Sequence, residues 1–233
     1  MRVIAILQAR MNSSRLPGKS LLPLGGAPMV QNIIERVRRA TKLDLVVLAY
    51  PLADHESFRP ILNQFVNTPG VSLGSYAFQG DENDLVARYL AAASTYQADI
   101  IVRVPCDNPC VDPAYIDELV ERYGSQCQPF MSNTTALDHA TGQFVDGVGA
   151  EIFSISRLKW LDRFTAGRAI LREHPHRFFQ LDGYGLLPNA DVRLDVNTME
   201  DYVFIKDIYD HFGHNQFTIA EVMTYLDTKQ GTA

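Results

Sequence analysis

Cysteine is scarce in this chain of 233 residues: Cys106, Cys110 and Cys127 make an odd number with no Cys-x-x-Cys pair. A disulfide framework and a four-cysteine zinc site are both disfavoured, and the count suits a reducing compartment. Positive charge is short as well. Lys and Arg total 21 against 27 Asp and Glu, a net of −6. Bulk attraction to nucleic acid or anionic membrane is excluded, so an anionic ligand must meet a local basic cluster. Long apolar runs are missing: Ile100 to Val104 is typical, far below the ~20 residues of a membrane span. Gln8, Arg10 and Arg15 follow the apolar opening at once, which leaves no room for a signal-peptide core. The expectation is a soluble cytoplasmic protein. Several chemical signatures are absent too: Gly-x-Gly-x-x-Gly, Asp-x-Asp and His-Glu-x-x-His. A dinucleotide site, a glycosyltransferase that grips its nucleotide through paired aspartates, and a zincin are therefore all disfavoured.

What is present is an ordinary globular balance, 46% apolar and 21% charged, at a length that suits one elaborated domain over residues 1–233. The chain alternates strand and helix patterns. Arg2 to Gln8, Asp44 to Tyr50 and Ile100 to Val104 are short apolar runs of the kind buried on both faces of a parallel sheet. Between them Pro28 opens a helix, Asp54 to Phe65 forms a second, and Asp81 is expected to cap a third through Tyr96, with Asp84 completing a capping box. Pro113 starts a fourth. This βαβ rhythm predicts an α/β fold with helices on both faces of a mostly parallel sheet. After about residue 125 the rhythm breaks. Phe130 to Phe153 reads as extended segments with turns, followed by a helix from Ser156 to Phe164, a late strand from Asp191 to Val196, and helices from Met199 and Ile219 capped by Thr198 and Thr218.

Ligands of open parallel sheets bind beyond the carboxyl ends of the strands, and two loops stand out there. Ala9 to Ser20 gathers Arg10, Arg15 and Lys19 with Ser13, Ser14, Ser20 and Gly18. Backbone N–H groups, forked guanidinium and point-charge ammonium are what a polyphosphate needs. Gly18-Lys19-Ser20 imitates the end of a P-loop, but Ser13 stands where its first glycine belongs. The second loop, Pro105 to Pro113, holds Asp107 between prolines, a place for a hard divalent cation with oxygen ligands. Asp112 before Pro113 reads as a helix cap, and Cys106 and Cys110 as small buried thiols.

These residues resemble a known family. Ala9-Arg10-x-x-Ser13-x-Arg15-Leu16-Pro17-Gly18-Lys19, then Leu24-Gly25-Gly26-x-Pro28-Met29, are similar to the opening of the cytidylyltransferases that activate acidic sugars, and more closely to the spore coat polysaccharide biosynthesis protein F family. Phe78 to Tyr89, Ala98 to Pro109, Asp146 to Phe153, Arg172-Glu173-His174 and Arg193 to Asp201 agree in order along nearly the whole chain. The resemblance implies a three-layer α/β/α nucleotide-diphospho-sugar transferase-like domain, a homodimer, and Mg²⁺-dependent formation of a CMP-sugar and pyrophosphate from CTP and an acidic sugar. It places Arg10, Arg15 and Lys19 on the phosphates, as catalytic groups. Ala9, Ser13, Gly18, Gly80, Asp84 and Arg88 join them in the nucleotide site. Arg172, His174 and Glu151 fall to the sugar, and a subregion of about 130–179 to the sugar and the dimer contact. Asp107 and the late segment fall to the metal.

Three departures accompany the likeness. Cys106 precedes Asp107 where relatives carry Gly, Gly149 stands where Asp is common, and Asn197 replaces the Asp of a late Val-Asp-Thr. In an extended strand Asp195 and Asn197 share a face about 6.5–7 Å apart, so Asp195 is expected to supply the missing carboxylate and Asn197 a neutral oxygen. A nucleotide- or sugar-binding regulator without catalysis is the alternative that this altered motif leaves open.

Overall fold

The computed structural model describes residues 1–66, 68–126, 128–173 and 187–230. Its centre is a six-stranded sheet. Strand β1 (Val3–Gln8) is followed by a separate two-stranded hairpin, β2 (Pro23–Leu24) and β3 (Ala27–Pro28). In the central sheet β1 lies between β4 (Leu45–Pro51) and β6 (Ile100–Pro105), and β5 (Leu73–Phe78) continues beyond β4, all parallel. Antiparallel β10 (Glu151–Ser154) and the short β7 (Met131–Ser132) complete the other edge. Near-continuous apolar sequence makes β1 a central strand: Ile4, Ala5, Ile6 and Leu7 are all fully buried.

Alternation along that strand divides the core. Val3, Ala5 and Leu7 face α1 (Met29–Val37), α2 (His55–Gln64), α4 (Pro113–Ser125) and two C-terminal helices, α7 (Met199–Phe212) and α8 (Ile219–Gln230). Ile4 and Ile6 face α3 (Leu85–Thr95) and α5 (Ile155–Phe164). The result is the three-layer α/β/α arrangement predicted from the βαβ rhythm. Asp112 caps α4 by accepting from Ala114 N–H at 2.9 Å, as read from its place before proline. Thr198 and Asp201 form a reciprocal capping box at the start of α7.

Three expectations need correction. Helix α3 begins at Leu85, not near Asp81, because Asp84 itself is the N-cap and accepts from Ala87 N–H at 2.9 Å. The late strand, β11, shrinks to Val192–Arg193, paired parallel with β9 (Phe144–Asp146) in a small three-stranded sheet with β8 (Thr135–Leu137). The segment after it is instead bonded to the Asp107 loop. Strand β5 has no counterpart in the sequence reading. Among the described residues, no helix is long and apolar enough to cross a membrane.

The aromatic subregion is partly core. Phe130 and Phe153 are buried and stack with ring centroids 6.2 Å apart, so they hold the fold and face no ligand. Phe178 and Phe179 lie outside the described residues.

Candidate active site

The first loop is a self-bonded turn that leaves β1. Ala9 N–H donates to Ala49 O at 3.1 Å, and Ser13 and Gly18 N–H both donate to Met11 O at 3.0 and 2.9 Å. Met11 N–H is held by Asp54 Oδ2 at 3.0 Å. Such a turn presents its long cationic side chains outward while satisfying its own backbone. Lys19 begins a single 3₁₀ turn, Lys19–Leu21.

Three segments far apart in sequence meet over this loop. Lys19 Nζ donates to Asp107 Oδ2 at 3.0 Å and to Val196 O at 2.8 Å. Val196 N–H donates to Asp107 O at 2.7 Å, which locks the late segment to the loop after β6. Arg15 Nη2 donates to Asn197 Oδ1 at 2.5 Å. Asn197 Nδ2 in turn donates to Asp195 Oδ2, and Arg193 holds both oxygens of Asp195 at 3.1 and 2.8 Å. Asp107, Asp195 and Asn197 thus come to the same end of the sheet as Arg15 and Lys19. A pocket of about 180 Å³ opens here, lined by Arg10, Arg15, Lys19, Arg103, Cys106 and Asp107 among others.

Two glycines make the convergence possible. Gly147 has φ +86°, and a Cβ there would lie 2.9 Å from Asp195 N; only Gly adopts this conformation cheaply and lets the late backbone approach. At Gly149 a Cβ would lie 2.0 Å from Asn133 O. An aspartate, expected there from the resemblance, has no room on this backbone.

Charge is arranged unevenly. Arg15 has no carboxylate partner among the described residues, whereas Lys19 is paired with Asp107 and Arg10 Nη2 stands 3.8 Å from Glu173 Oε1. Burial pushes the Cys106 thiol far up, with the charge of Asp107 adding to it, and pushes Cys110 up to about 12. Both thiols stay protonated in this environment. Burial, then the neighbouring Asp195 charge, raises Asp146 although Thr135 donates to it. At Asp201 burial works upward, but donors on the Asn197 and Thr198 backbone outweigh it and hold the carboxyl below its ordinary value. Asp107, Asp195 and Asn197 offer two carboxylates and one amide oxygen, all hard donors, each engaged in this structure by Lys19, Arg193 or Arg15. Among the described residues no group of three His, Cys, Asp or Glu is placed to hold a metal.

Other expected site residues are placed differently. Arg88 is fully buried; its Nη2 donates to Glu82 O, and it lies behind the pocket wall. Glu151, expected at the sugar, is only 4% exposed and pairs with Arg103 at 2.8 Å. Its position on β10, opposite Arg103 in register, turns it into the core beside α3. Arg172 is held by Asp84 at 2.8 Å and Asp162 at 2.8 Å, so both of its neighbours are already carboxylates. Asp84 is spent on that pair and on the α3 cap. Gly80 is exposed in the turn before α3, and Ser13 lines the pocket. His174 lies outside the described residues. A larger cleft, about 860 Å³, runs beside the pocket between Asp84, Asp162, Arg168 and Arg172. Its wall is more apolar than polar, and Arg172 there is paired with Asp84 and Asp162. Sequence reasoning missed Arg103, whose only signal is an arginine inside an apolar strand, and Asn83, which accepts from Arg10 Nη1 at 2.7 Å.

A parallel sheet whose carboxyl edge gathers arginine, lysine and aspartate from three remote segments has the build of an enzyme that handles nucleotides. The particular family follows from comparison. A cytidylyltransferase family model matches residues 4–216, and the chain belongs to the cytidylyltransferase family. It is 28% identical over 239 residues to the spore coat polysaccharide biosynthesis protein SpsF of Bacillus subtilis, covering 99% of this chain and 96% of that one. It is 32% identical over 133 residues to a 3-deoxy-manno-octulosonate cytidylyltransferase of Trichlorobacter lovleyi, covering 57% of this chain and 46% of that protein. Among solved structures, a cytidylyltransferase of Leptospira borgpetersenii superposes with a TM-score of 0.81 at 27% identity, covering 99% of this chain and 96% of that one.

Proposed function

We propose that this protein transfers the cytidylyl group of CTP to a hydroxyl of an acidic sugar in a divalent-metal-dependent reaction, releasing pyrophosphate, for glycan or polysaccharide synthesis. The observation that carries the reading is the meeting of Arg15 and Lys19 with Asp107 and the 195–197 segment at the carboxyl edge of β1 and β6. Family membership supplies the nucleotide class. In the reaction the sugar oxygen forms a bond to the α-phosphorus. The bond from that phosphorus to the β-phosphate oxygen breaks, pyrophosphate leaves, and the hydroxyl proton passes to solvent.

This chemistry asks the protein for position and charge more than for covalent participation. Arg15, with no carboxylate to satisfy it, is the first cation available to the phosphates. Lys19 exchanges Asp107 for a phosphate oxygen as the nucleotide enters, and its bond to Val196 O keeps the ammonium over the pocket during the exchange. Asn197 holds the Arg15 guanidinium at the pocket wall until the nucleotide arrives, and gives up that bond when its oxygen turns to the cation. A divalent cation, magnesium by donor type, would be held by Asp107 and Asp195 with the Asn197 oxygen, and would neutralise the phosphates and acidify the attacking hydroxyl. The ion pairs of Arg172 leave the larger cleft, not that guanidinium alone, as the place for the sugar. Two copies of the chain form the working unit in this reading.

The experiment is pyrophosphate release with each of four nucleoside triphosphates, magnesium and a panel of acidic sugars. Release with CTP and at least one acidic sugar is expected. Release only with GTP or UTP overturns the nucleotide assignment. Micromolar CTP binding with no turnover on any sugar places the protein among binding regulators instead. Asp107→Ala is expected to raise the magnesium requirement sharply, and sedimentation to show a dimer at micromolar concentration.

A further inference from the structure

Of the three cations in the first loop, Lys19 is paired with Asp107 and Arg10 stands near Glu173, while Arg15 has no carboxylate partner among the described residues. Its Nη2 donates instead to a neutral group, Asn197 Oδ1, at 2.5 Å. That amide is held from its other end, because Asn197 Nδ2 donates to Asp195 Oδ2. Arg193 meets the same carboxylate with its fork, Nε at 3.1 Å from Oδ1 and Nη2 at 2.8 Å from Oδ2, and Asp146 Oδ2 lies 4.0 Å further on. Arg193, Asp195, Asn197 and Arg15 therefore form a continuous row that ends at the small pocket, which Arg15 lines. The backbone beneath the row is anchored as well. Asn197 N–H donates to Asp201 Oδ2 at 2.9 Å, and Val196 N–H to Asp107 O at 2.7 Å.

Only one orientation of the Asn197 amide suits this row. A guanidinium only donates and an ionised carboxylate only accepts, so the amide oxygen must face Arg15 and its nitrogen must face Asp195. Asp195 imposes that orientation, and the bidentate bond from Arg193 compensates the Asp195 charge where it stands. What reaches Arg15 is an acceptor with no net charge. An aspartate at 197, expected from the resemblance, would act differently in two respects. It has no donor to offer Asp195, so two carboxylates would lie side by side. It would also form an ion pair with Arg15, and a phosphate would then compete with a resident anion for the guanidinium. The amide aims the guanidinium and leaves its charge to the ligand.

We propose that Asn197 is the positioning residue of Arg15: backed by Asp195 and Arg193, it presets the guanidinium, still uncompensated, for the nucleotide's phosphates before any divalent ion arrives. This rests on the nucleotidyl-transfer reading, and deepens it by giving Arg193, Asp195 and Asn197 a task that precedes metal binding. The test is calorimetric titration of CTP in EDTA into the parent, Asn197→Ala, Asn197→Asp, Arg15→Ala and the two paired variants that combine Arg15→Ala with each change at 197. The parent is also titrated with magnesium. In EDTA the parent is expected to bind CTP. Asn197→Ala, which loses one neutral hydrogen bond, should bind it roughly threefold to fivefold more weakly, and Asn197→Asp, which discharges Arg15, at least about tenfold more weakly. In the Arg15→Ala background the alanine change should add no further loss, and the aspartate change distinctly less than it does with Arg15 present. Either 197 variant binding CTP like the parent in EDTA overturns the proposal. An aspartate milder than alanine overturns it too, because shape and not charge then decides at 197. A loss that persists in full without Arg15 also overturns it, since residue 197 then acts on the ligand directly. Should Asn197→Asp fail to fold, the alanine arm carries the test, and its loss must vanish once Arg15 is gone. A parent that binds CTP with magnesium but not in EDTA overturns the proposal and leaves the nucleotidyl-transfer reading standing. No binding under either condition strikes that reading, and the proposal with it.

Discussion

Arg36 and Arg88 are both fully buried, on opposite faces of the sheet, and their surroundings differ in kind. Arg36 on α1 places Nε on Val111 O at 2.6 Å and Nη1 on Asn215 O at 2.6 Å. Its Nη2 reaches Phe217 O at 3.0 Å and Cys110 O at 3.4 Å. Its guanidinium also lies 4.4 Å above the Phe217 ring. Arg88 on α3 reaches one carbonyl, Glu82 O, and lies 5.8 Å from the centre of the Phe78 ring, but its Nε and Nη1 have no hydrogen-bond partner among the described residues. The same residue type at the same depth is thus a clamp in one layer and an unsatisfied charge in the other. The orphaned donors of Arg88, Arg103 and Tyr89 all lie in the α3 layer, under the mouth of the candidate site. A buried cation whose donors end on carbonyls secures the fold; one whose donors do not is a charge that the fold tolerates.

The largest expected effect tests the clamp. Arg36→Met should lower unfolding free energy by at least about 3 kcal/mol, because several buried carbonyls lose their donor together. Chemical denaturation measures it, and a variant as stable as the parent would collapse the contrast. Next come the rim cations. Arg15→Ala and Lys19→Ala should each weaken CTP binding by about 1.5–3 kcal/mol, read by calorimetry. As exposed loop charges they would leave stability alone, and Arg15 fits that description. Lys19 does not, being 14% exposed with two bonds, so Lys19→Ala should also melt earlier.

A smaller effect belongs to the hinge between site and helix. Asp201→Ala removes the capping box of α7 and the anchor of Asn197 N–H, at a cost of about 1 kcal/mol. Asp201 is depressed in the folded protein, so its contribution is complete above the ordinary carboxylate pKa of about 3.9. It is lost as pH falls through the lower folded value. The gap between parent and variant should therefore close in acid and be full at neutral pH; a gap independent of pH would refute the capping account. The smallest effect completes the contrast. Arg88→Met should change stability by less than about 1 kcal/mol or raise it, since replacing a buried charge by an apolar side chain of similar size is often neutral. A loss as large as that of Arg36→Met would show that the two arginines do the same work.

The central sheet was legible wherever burial on both faces writes a continuous apolar run, as in Val3–Gln8 and Leu45–Pro51. The edge strand β5 was not, because Gly74 and Ser75 interrupt it and half-burial removes the run. Its order comes from tertiary contact: Tyr96 OH accepts from Ser75 N–H at 3.0 Å and donates to Ser75 O at 2.7 Å, a bond that no local pattern announces. The first loop declared itself by crowding three cations into one turn. Partnering was invisible in sequence. Arg172 and Glu151 share residue types with functional groups, and only their neighbours, Asp84, Asp162 and Arg103, show them to be paired. Asn197 was expected to meet Asp195 along a strand. They do meet, but in an irregular segment pinned by Asp107 and Lys19.

That pinning has a bearing on how the protein comes into being. The bond from Lys19 to Val196 O spans 177 residues, and Arg15 to Asn197 spans 182. Contacts of such sequence separation form late, after the entropy of closing the intervening chain has been met. A growing polypeptide can lay down β1, β4 and β6 in order, yet its phosphate-gripping end stays open until the late segment has left the ribosome and swung back across the sheet. If the proposed function holds, nucleotide capture belongs to the fully folded chain alone, and a ligand that binds only that form adds its own free energy to the last step of folding.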